Sequence, residues 1–139
     1  MGPVARRLRG VESSFSYKRG YRLPIDLPEN LAAFVDEVVH SFVTWDLLIG
    51  FAKRPDTSGT PATFSTLLGR PPAELAQALD HLTAKGLVKR QPIAGNENFY
   101  EVNPASPLLP MLKTFASFNE TQENRLKVLS RLLERGVHH

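Results

Sequence analysis

The segment TFSTLLGRPPAELAQALDHLTAKGLVKR, residues 63–90, brings the end of one helix and the start of another close together. Gly69 can supply the left-handed conformation that ends a helix. Pro71 and Pro72 force an extended step and then suit the first turn of a new helix. Leucines of the second helix recur at i, i+4 and i+7, so they share one face. These leucines are Leu75, Leu79 and Leu82. Gly86 ends this helix, and we expect a helix, a tight turn and a second helix with a buried leucine face.

A short hairpin is predicted directly after the second helix. Leu87 and Val88 lead into a basic pair, and the sequence QPIAGNENFYEVNP follows. Gly95 and Asn96 indicate a turn, and strand-forming residues follow it. The strand formers are Phe99, Tyr100 and Val102. Helix, turn, helix and hairpin are the elements of a winged helix.

This order resembles the winged helix-turn-helix of MarR-type and ArsR-type transcriptional regulators, over about residues 41–103. The similarity lies in the short helix ending in Leu and Gly, the second helix with core-spaced leucines, and the Gly, Leu, Val and basic residue that enter the wing. The resemblance implies a mainly α fold with a small β-hairpin, in which N- and C-terminal helices flank the winged helix-turn-helix. It also implies double-stranded DNA as a partner and a homodimer.

The resemblance implies that the side of the second helix opposite its leucines faces the major groove. On that side lie Glu74, Gln77, Ala78, His81 and Lys85. Gln77 is then expected to pair with an adenine edge, and His81 with a base or a phosphate. The residues expected to contact DNA from the winged helix are Arg70, Gln77, His81, Lys85, Lys89 and Arg90. Glu74 and Asp80 carry the wrong charge for phosphates, and residues 61–103 hold four basic and four acidic side chains.

Most of the positive charge lies in the N-terminal arm. Residues 1–22 carry six cations against one acid, a net charge of +5, whereas the rest of the chain carries −2. The cations are Arg6, Arg7, Arg9, Lys18, Arg19 and Arg22. Such an arm can follow a phosphate backbone. The alternatives are a solvated leader and an arm whose aromatics dock on the same chain. We divide the chain into a basic arm (1–27), a winged helix domain with a preceding helix (28–104) and a C-terminal dimerisation segment (105–136).

Residues 28–54 are predicted to be helical from their three- and four-residue apolar spacing. Pro28 suits the helix start, and Pro55 stops the region. The apolar face widens near Val43 and Trp45. This favours two helices that break near residues 41–44, with Thr44 as the cap of the second, over one helix buried in an oligomer.

The C-terminal third begins with a helix start at Ser106 and Pro107 and stops at Gly136. It contains a heptad-like apolar stripe. One interpretation is a single long helix that pairs with a second copy; the other is two helices broken near Asn119, with Asn119 and Gln122 as a capping box. The residues expected to dimerise are Leu112, Phe115, Leu126, Leu129 and Leu133. Packing of this segment on residues 31–51 within a monomer is the alternative to the dimer.

Enzymatic and membrane functions find no support in the sequence. The chain has no Cys, HExxH, GxxxxGK[ST] or GxSxG pattern, and its four histidines suggest no metal site. No apolar run approaches the length of about 20 residues that spans a bilayer. We expect a cytoplasmic protein that is no enzyme and needs no cofactor or metal. Trp45, Phe42 and Phe51 suggest either a small-molecule pocket or ordinary core packing.

Two functions from different classes remain. The first is a dimeric DNA-binding transcriptional regulator, with the basic arm adding contacts to the DNA backbone. The second is a winged-helix module that binds a protein partner and has little affinity for DNA.

Overall fold

A computed structural model describes residues 27–137 of the chain. Over this range it has six helices and three strands. In chain order they are α1 Glu29–Val38, α2 Phe42–Lys53, β1 Ser58–Gly59, α3 Pro61–Leu68, α4 Pro72–Ala84, β2 Val88–Ile93, β3 Glu97–Val102, α5 Leu109–Phe118 and α6 Gln122–Glu134. Helices α3 and α4 with the β2–β3 hairpin form a winged helix-turn-helix, and the other helices flank it. The expected fold class is confirmed.

The break between α1 and α2 lies at residues 39–41, close to the predicted position. The prediction of Thr44 as the cap of α2 was wrong by three positions. Ser41 caps α2, because its hydroxyl accepts a hydrogen bond from the backbone N–H of Thr44 at 3.1 Å. Thr44 itself is buried. Two separate helices therefore bury the wide apolar face of this region.

The turn between α3 and α4 is built as its sequence predicts. Gly69 adopts a left-handed conformation with φ of 69°, and Pro72 stands at the start of α4. The three leucines of α4 are fully buried, as expected. Ala78 is also buried, at 5% exposure, so its predicted outward position was wrong. The buried face of α4 is wider than its leucines alone, as is usual for a helix that packs against a globular core.

The hairpin belongs to a three-stranded antiparallel sheet with the order β1-β3-β2. Strand β1 lies in a segment that the sequence indicated only as a loop, and Ser58 pairs with Glu101 of β3. Gly95 and Asn96 both have positive φ, as a tight hairpin turn requires. Because β2 lies at the edge of the sheet, it tolerates Pro92 as its fifth of six residues.

The C-terminal segment forms two helices, which decides between the two predicted arrangements. Helix α5 begins at Leu109, three residues after Ser106. The predicted capping box was wrong: Thr121 caps α6 by accepting from the N–H of Asn124, and Asn119 is buried. Among residues 27–137, every helix is too short or too polar to span a bilayer.

One hydrophobic core joins all six helices of the described range. Helix α5 contributes Leu112 and Phe115, and α6 contributes Val128 and Leu132. The ring centroids of Phe115 and Phe34 of α1 lie 5.5 Å apart. The C-terminal helices therefore pack on the winged helix body within a single chain.

Candidate nucleic-acid interface

The outward face of α4 lies beside the wing, which is the β2–β3 hairpin. Ala73, Gln77 and Asp80 are exposed at i, i+4 and i+7, on the side away from the leucines. Within the wing, the nine residues from Lys89 to Glu97 are all exposed as well. Because side chains of a strand alternate between faces, exposure of every residue means that both faces of this half of the hairpin leave the core. The wing therefore projects from the body of the protein.

Asp80 connects the outward face of α4 to the wing. Its Oδ1 accepts a hydrogen bond from Nη1 of Arg90 at 2.9 Å and another from the hydroxyl of Tyr100 at 2.6 Å. The hydrogen bond to Asp80 raises the pKa of Arg90. The pKa of Tyr100 is also raised, mainly by burial and secondly by the hydrogen bond to Asp80. The helix and both wing strands are thus tied together by one carboxylate.

The two other basic side chains at the ends of α4 pair with acids of the same chain. The Nε of Arg70, just before the helix, lies 2.7 Å from Oδ2 of Asp46 on α2. Lys85, just after the helix, donates to Glu37 on α1, and this bond lowers the pKa of Glu37. These pairs connect the two ends of α4 to α2 and α1. Lys89 is exposed and lies opposite Glu101 in the hairpin register.

His81 lies at the edge of the core and faces α1. Its Nε2 is 2.8 Å from the carbonyl oxygen of Val38, and because a carbonyl only accepts, Nε2 carries the proton. The ring stacks on His40 with centroids 3.7 Å apart. The expected outward direction of His81 was therefore wrong, because position 81 neighbours buried Ala78 on the helix surface.

The contact between α1 and α4 is expected to weaken as the pH falls. Burial lowers the pKa of His81 below its ordinary value of 6.5, and burial also lowers the pKa of His40. The unfolded chain then binds protons more readily than the folded one. The contribution of these neutral rings is fully present above about pH 6.5 and is lost as the pH falls below it.

The thermal midpoint should therefore decrease as the pH is lowered from about 7 to about 5. The substitution His81→Gln keeps a donor for the Val38 carbonyl and removes one titrating group, so this fall should be smaller. Circular dichroism melts of both proteins across this range provide the measurement. Equal falls in the two proteins would mean that His81 is not the source of the pH dependence.

The remaining predicted residues fall into three groups. The arm cations, from Arg6 to Arg22, lie outside the described residues. Leu112 and Phe115 of the predicted dimerisation stripe are buried in the core. Leu126 and Leu133 are exposed on α6, at 50% and 56%, and Leu129 is half-buried.

A cleft of about 1110 Å³ lies between α2, α3 and α5. Phe42 and Trp45 line it, whereas Phe51 is buried in the core. The indole N–H of Trp45 donates to the side-chain oxygen of Asn119 at 3.1 Å. Within residues 27–137, no three His, Asp or Glu side chains are grouped as metal ligands would be.

Comparisons with known proteins identify distant likenesses among solved structures. No protein-family model matches the chain, and no curated protein matches it. A double variant of Lactococcus lactis ZitR in its apo form is 19% identical with a TM-score of 0.44, and the alignment covers 78% of this chain and 74% of that one. The transcriptional regulator BldR from Sulfolobus solfataricus is 18% identical with a TM-score of 0.39, and the alignment covers 77% of this chain and 84% of that one.

Proposed function

We propose that this protein is a DNA-binding transcriptional regulator that acts as a dimer through its winged helix-turn-helix, with the basic N-terminal arm adding backbone contacts. The observation that carries the proposal is the projecting wing beside the outward face of α4. The outer part of this hairpin, residues 89–97, is exposed on both faces and gains little from packing on its own domain. A helix and a ribbon side by side fit the major groove and the neighbouring backbone of duplex DNA.

Gln77 is the side chain of α4 that we assign to base contact. It is exposed in the first half of the helix, the part that enters the groove in helix-turn-helix proteins. A glutamine amide can donate to N7 and accept from the amino group of adenine, which reads an A·T pair.

Arg70, Lys89 and Arg90 are the side chains that we assign to phosphates. They lie before α4 and on the wing, so they flank Gln77 along the chain. Lys85 and His81 bind α1, and we assign them to holding α4 in place. The six cations of residues 1–22 supply the larger share of positive charge in this proposal.

The dimer is proposed from the exposed leucines of α6. Leu126 and Leu133 are seven residues apart and so lie on one face of the helix, with half-buried Leu129 between them. Exposed leucines in such a row gain most when a second apolar surface covers them. A two-fold pair would present two copies of α4 to two half-sites on DNA.

Fluorescence anisotropy of the full chain on random-sequence duplex DNA tests the proposed function. Contacts between cations and phosphates release counterions, so affinity should fall steeply as salt rises, with a dissociation constant of roughly 10⁻⁴ to 10⁻⁶ M at physiological salt. Absence of binding at low salt would contradict the proposal.

Gln77→Ala should weaken binding to a sequence selected from a random library. We expect a loss of about 1–3 kcal/mol and a relaxed preference at one base pair, because one bidentate contact disappears. Gln122→Ala is the matched control, since Gln122 is an exposed glutamine on α6. Equal losses of affinity from the two substitutions, or an unchanged base-pair preference in the Gln77→Ala variant, would contradict a base contact by Gln77.

The second candidate function is a winged-helix module that binds a protein. One observation favours it: Arg70, Lys85 and Arg90 are all paired with carboxylates of this chain. This pairing lowers the attraction of the winged helix for phosphates. The anisotropy measurement separates the two functions, because the module would have little affinity for duplex DNA even at low salt.

A further inference from the structure

Asp80 is an acidic residue at the centre of the proposed DNA surface. It is exposed on α4, in the same row as Ala73 and Gln77. Its carboxylate contacts Arg90 of β2 and Tyr100 of β3. A carboxylate at this position repels phosphate and also occupies a guanidinium that could otherwise bind phosphate.

Tyr100 fixes the position of this carboxylate from the core side. The tyrosine is 1% exposed, and its hydroxyl donates to Oδ1 of Asp80 at 2.6 Å. The carboxylate is therefore held in place even when Arg90 turns away.

The ion pair is open to exchange with an external anion. The side chains of Arg90 and Asp80 are 45% and 47% exposed, so water and phosphate can both reach the guanidinium. Exposed ion pairs of this kind are weak. A phosphate can therefore compete with Asp80 for Arg90, but only against the repulsion of the fixed carboxylate.

We propose that Asp80 lowers the sequence-independent affinity of this protein for DNA by holding Arg90 and repelling phosphate. This inference rests on the proposed DNA-binding function. Sequence-independent affinity comes almost entirely from phosphate contacts. A residue that weakens binding to every site equally lowers the total affinity, and the difference between correct and incorrect sites then depends on base contacts such as that of Gln77.

The test compares Asp80→Asn with Asp36→Asn on random-sequence duplex DNA across a salt series. Asparagine at position 80 still offers an oxygen to Tyr100, and a circular dichroism melt checks that the variant folds. D80N should bind about three- to tenfold more tightly than the wild type, with a salt slope steeper by about 0.9, as one added phosphate contact predicts. D36N removes the same charge from α1, where Asp36 pairs with Arg131 of α6, so it controls for net charge.

A double-mutant cycle with Arg90→Gln assigns the gain to the ion pair. In the R90Q background, D80N should give a smaller gain in affinity than in the wild-type background, because only the repulsion between the carboxylate and phosphate is then relieved. An equal gain from D80N in both backgrounds would overturn the role of Arg90.

The outcomes separate this inference from the function on which it rests. If the wild type binds DNA and D80N binds no better than D36N, the inference fails and the proposed function stands. If no variant binds at low salt, both fail. If D80N binds more tightly than both the wild type and D36N, the inference is supported.

Discussion

The substitution Phe115→Ala is expected to cost about 3–5 kcal/mol of unfolding free energy, as truncation of buried aromatic side chains usually does. Phe115 is fully buried, and its ring packs against Phe34 of α1. A typical domain has about 5–15 kcal/mol of stability in total, so this loss is a large share of it. Urea denaturation followed by circular dichroism measures the loss.

The control for Phe115→Ala is Leu133→Ala, a truncation on the exposed face of α6. Leu133 is 56% exposed, so in an isolated chain its loss should cost no more than about 0.5 kcal/mol. Both variants should be measured at two protein concentrations. A small, concentration-dependent loss for Phe115→Ala would contradict its place in the core of a single chain and would assign it to a subunit interface.

Deletion of residues 1–22 is expected to have the largest effect on DNA binding. The deletion removes six cations and one acid, and the described core begins at Leu27. Each lost phosphate contact should reduce the salt slope by about 0.9, and the affinity for random duplex DNA should fall at least about 10²-fold at low salt. Anisotropy across a salt series measures both quantities.

A full-length variant in which the six arm cations are replaced by glutamine separates charge from length. If the arm acts through contacts with phosphates, this variant should have the same affinity and the same salt slope as the deletion. If the deletion or the glutamine variant bound DNA as tightly as the wild type, a role of the arm in DNA binding would be contradicted. The positive surface would then have to lie on the winged helix.

Local signals were enough to predict most helix boundaries. Gly69 and Gly86 end their helices with positive φ, and Gly95 and Asn96 form the hairpin turn. The leucines of α4 could be identified as core residues because the helical period places them on one face. These features depend on residues within a few positions of one another, which is why the sequence revealed them.

The contacts that define the candidate interface depend on distant residues. His81 meets Val38, which is 43 positions away, and Lys85 meets Glu37 at a separation of 48. Residue spacing could suggest that Lys85 was available for DNA, but only the packing of α4 on α1 shows its acidic partner. Strand β1 was missed for the same reason, since a two-residue strand is defined by its partner β3.

An NMR titration of the ¹⁵N-labelled full chain with duplex DNA tests the central claim most directly. We predict that the largest amide shifts fall in residues 72–81 of α4 and residues 89–97 of the wing, together with residues 1–22. Shifts confined to the arm or to α6, with α4 and the wing unchanged, would contradict the claim that this helix and wing form the DNA surface.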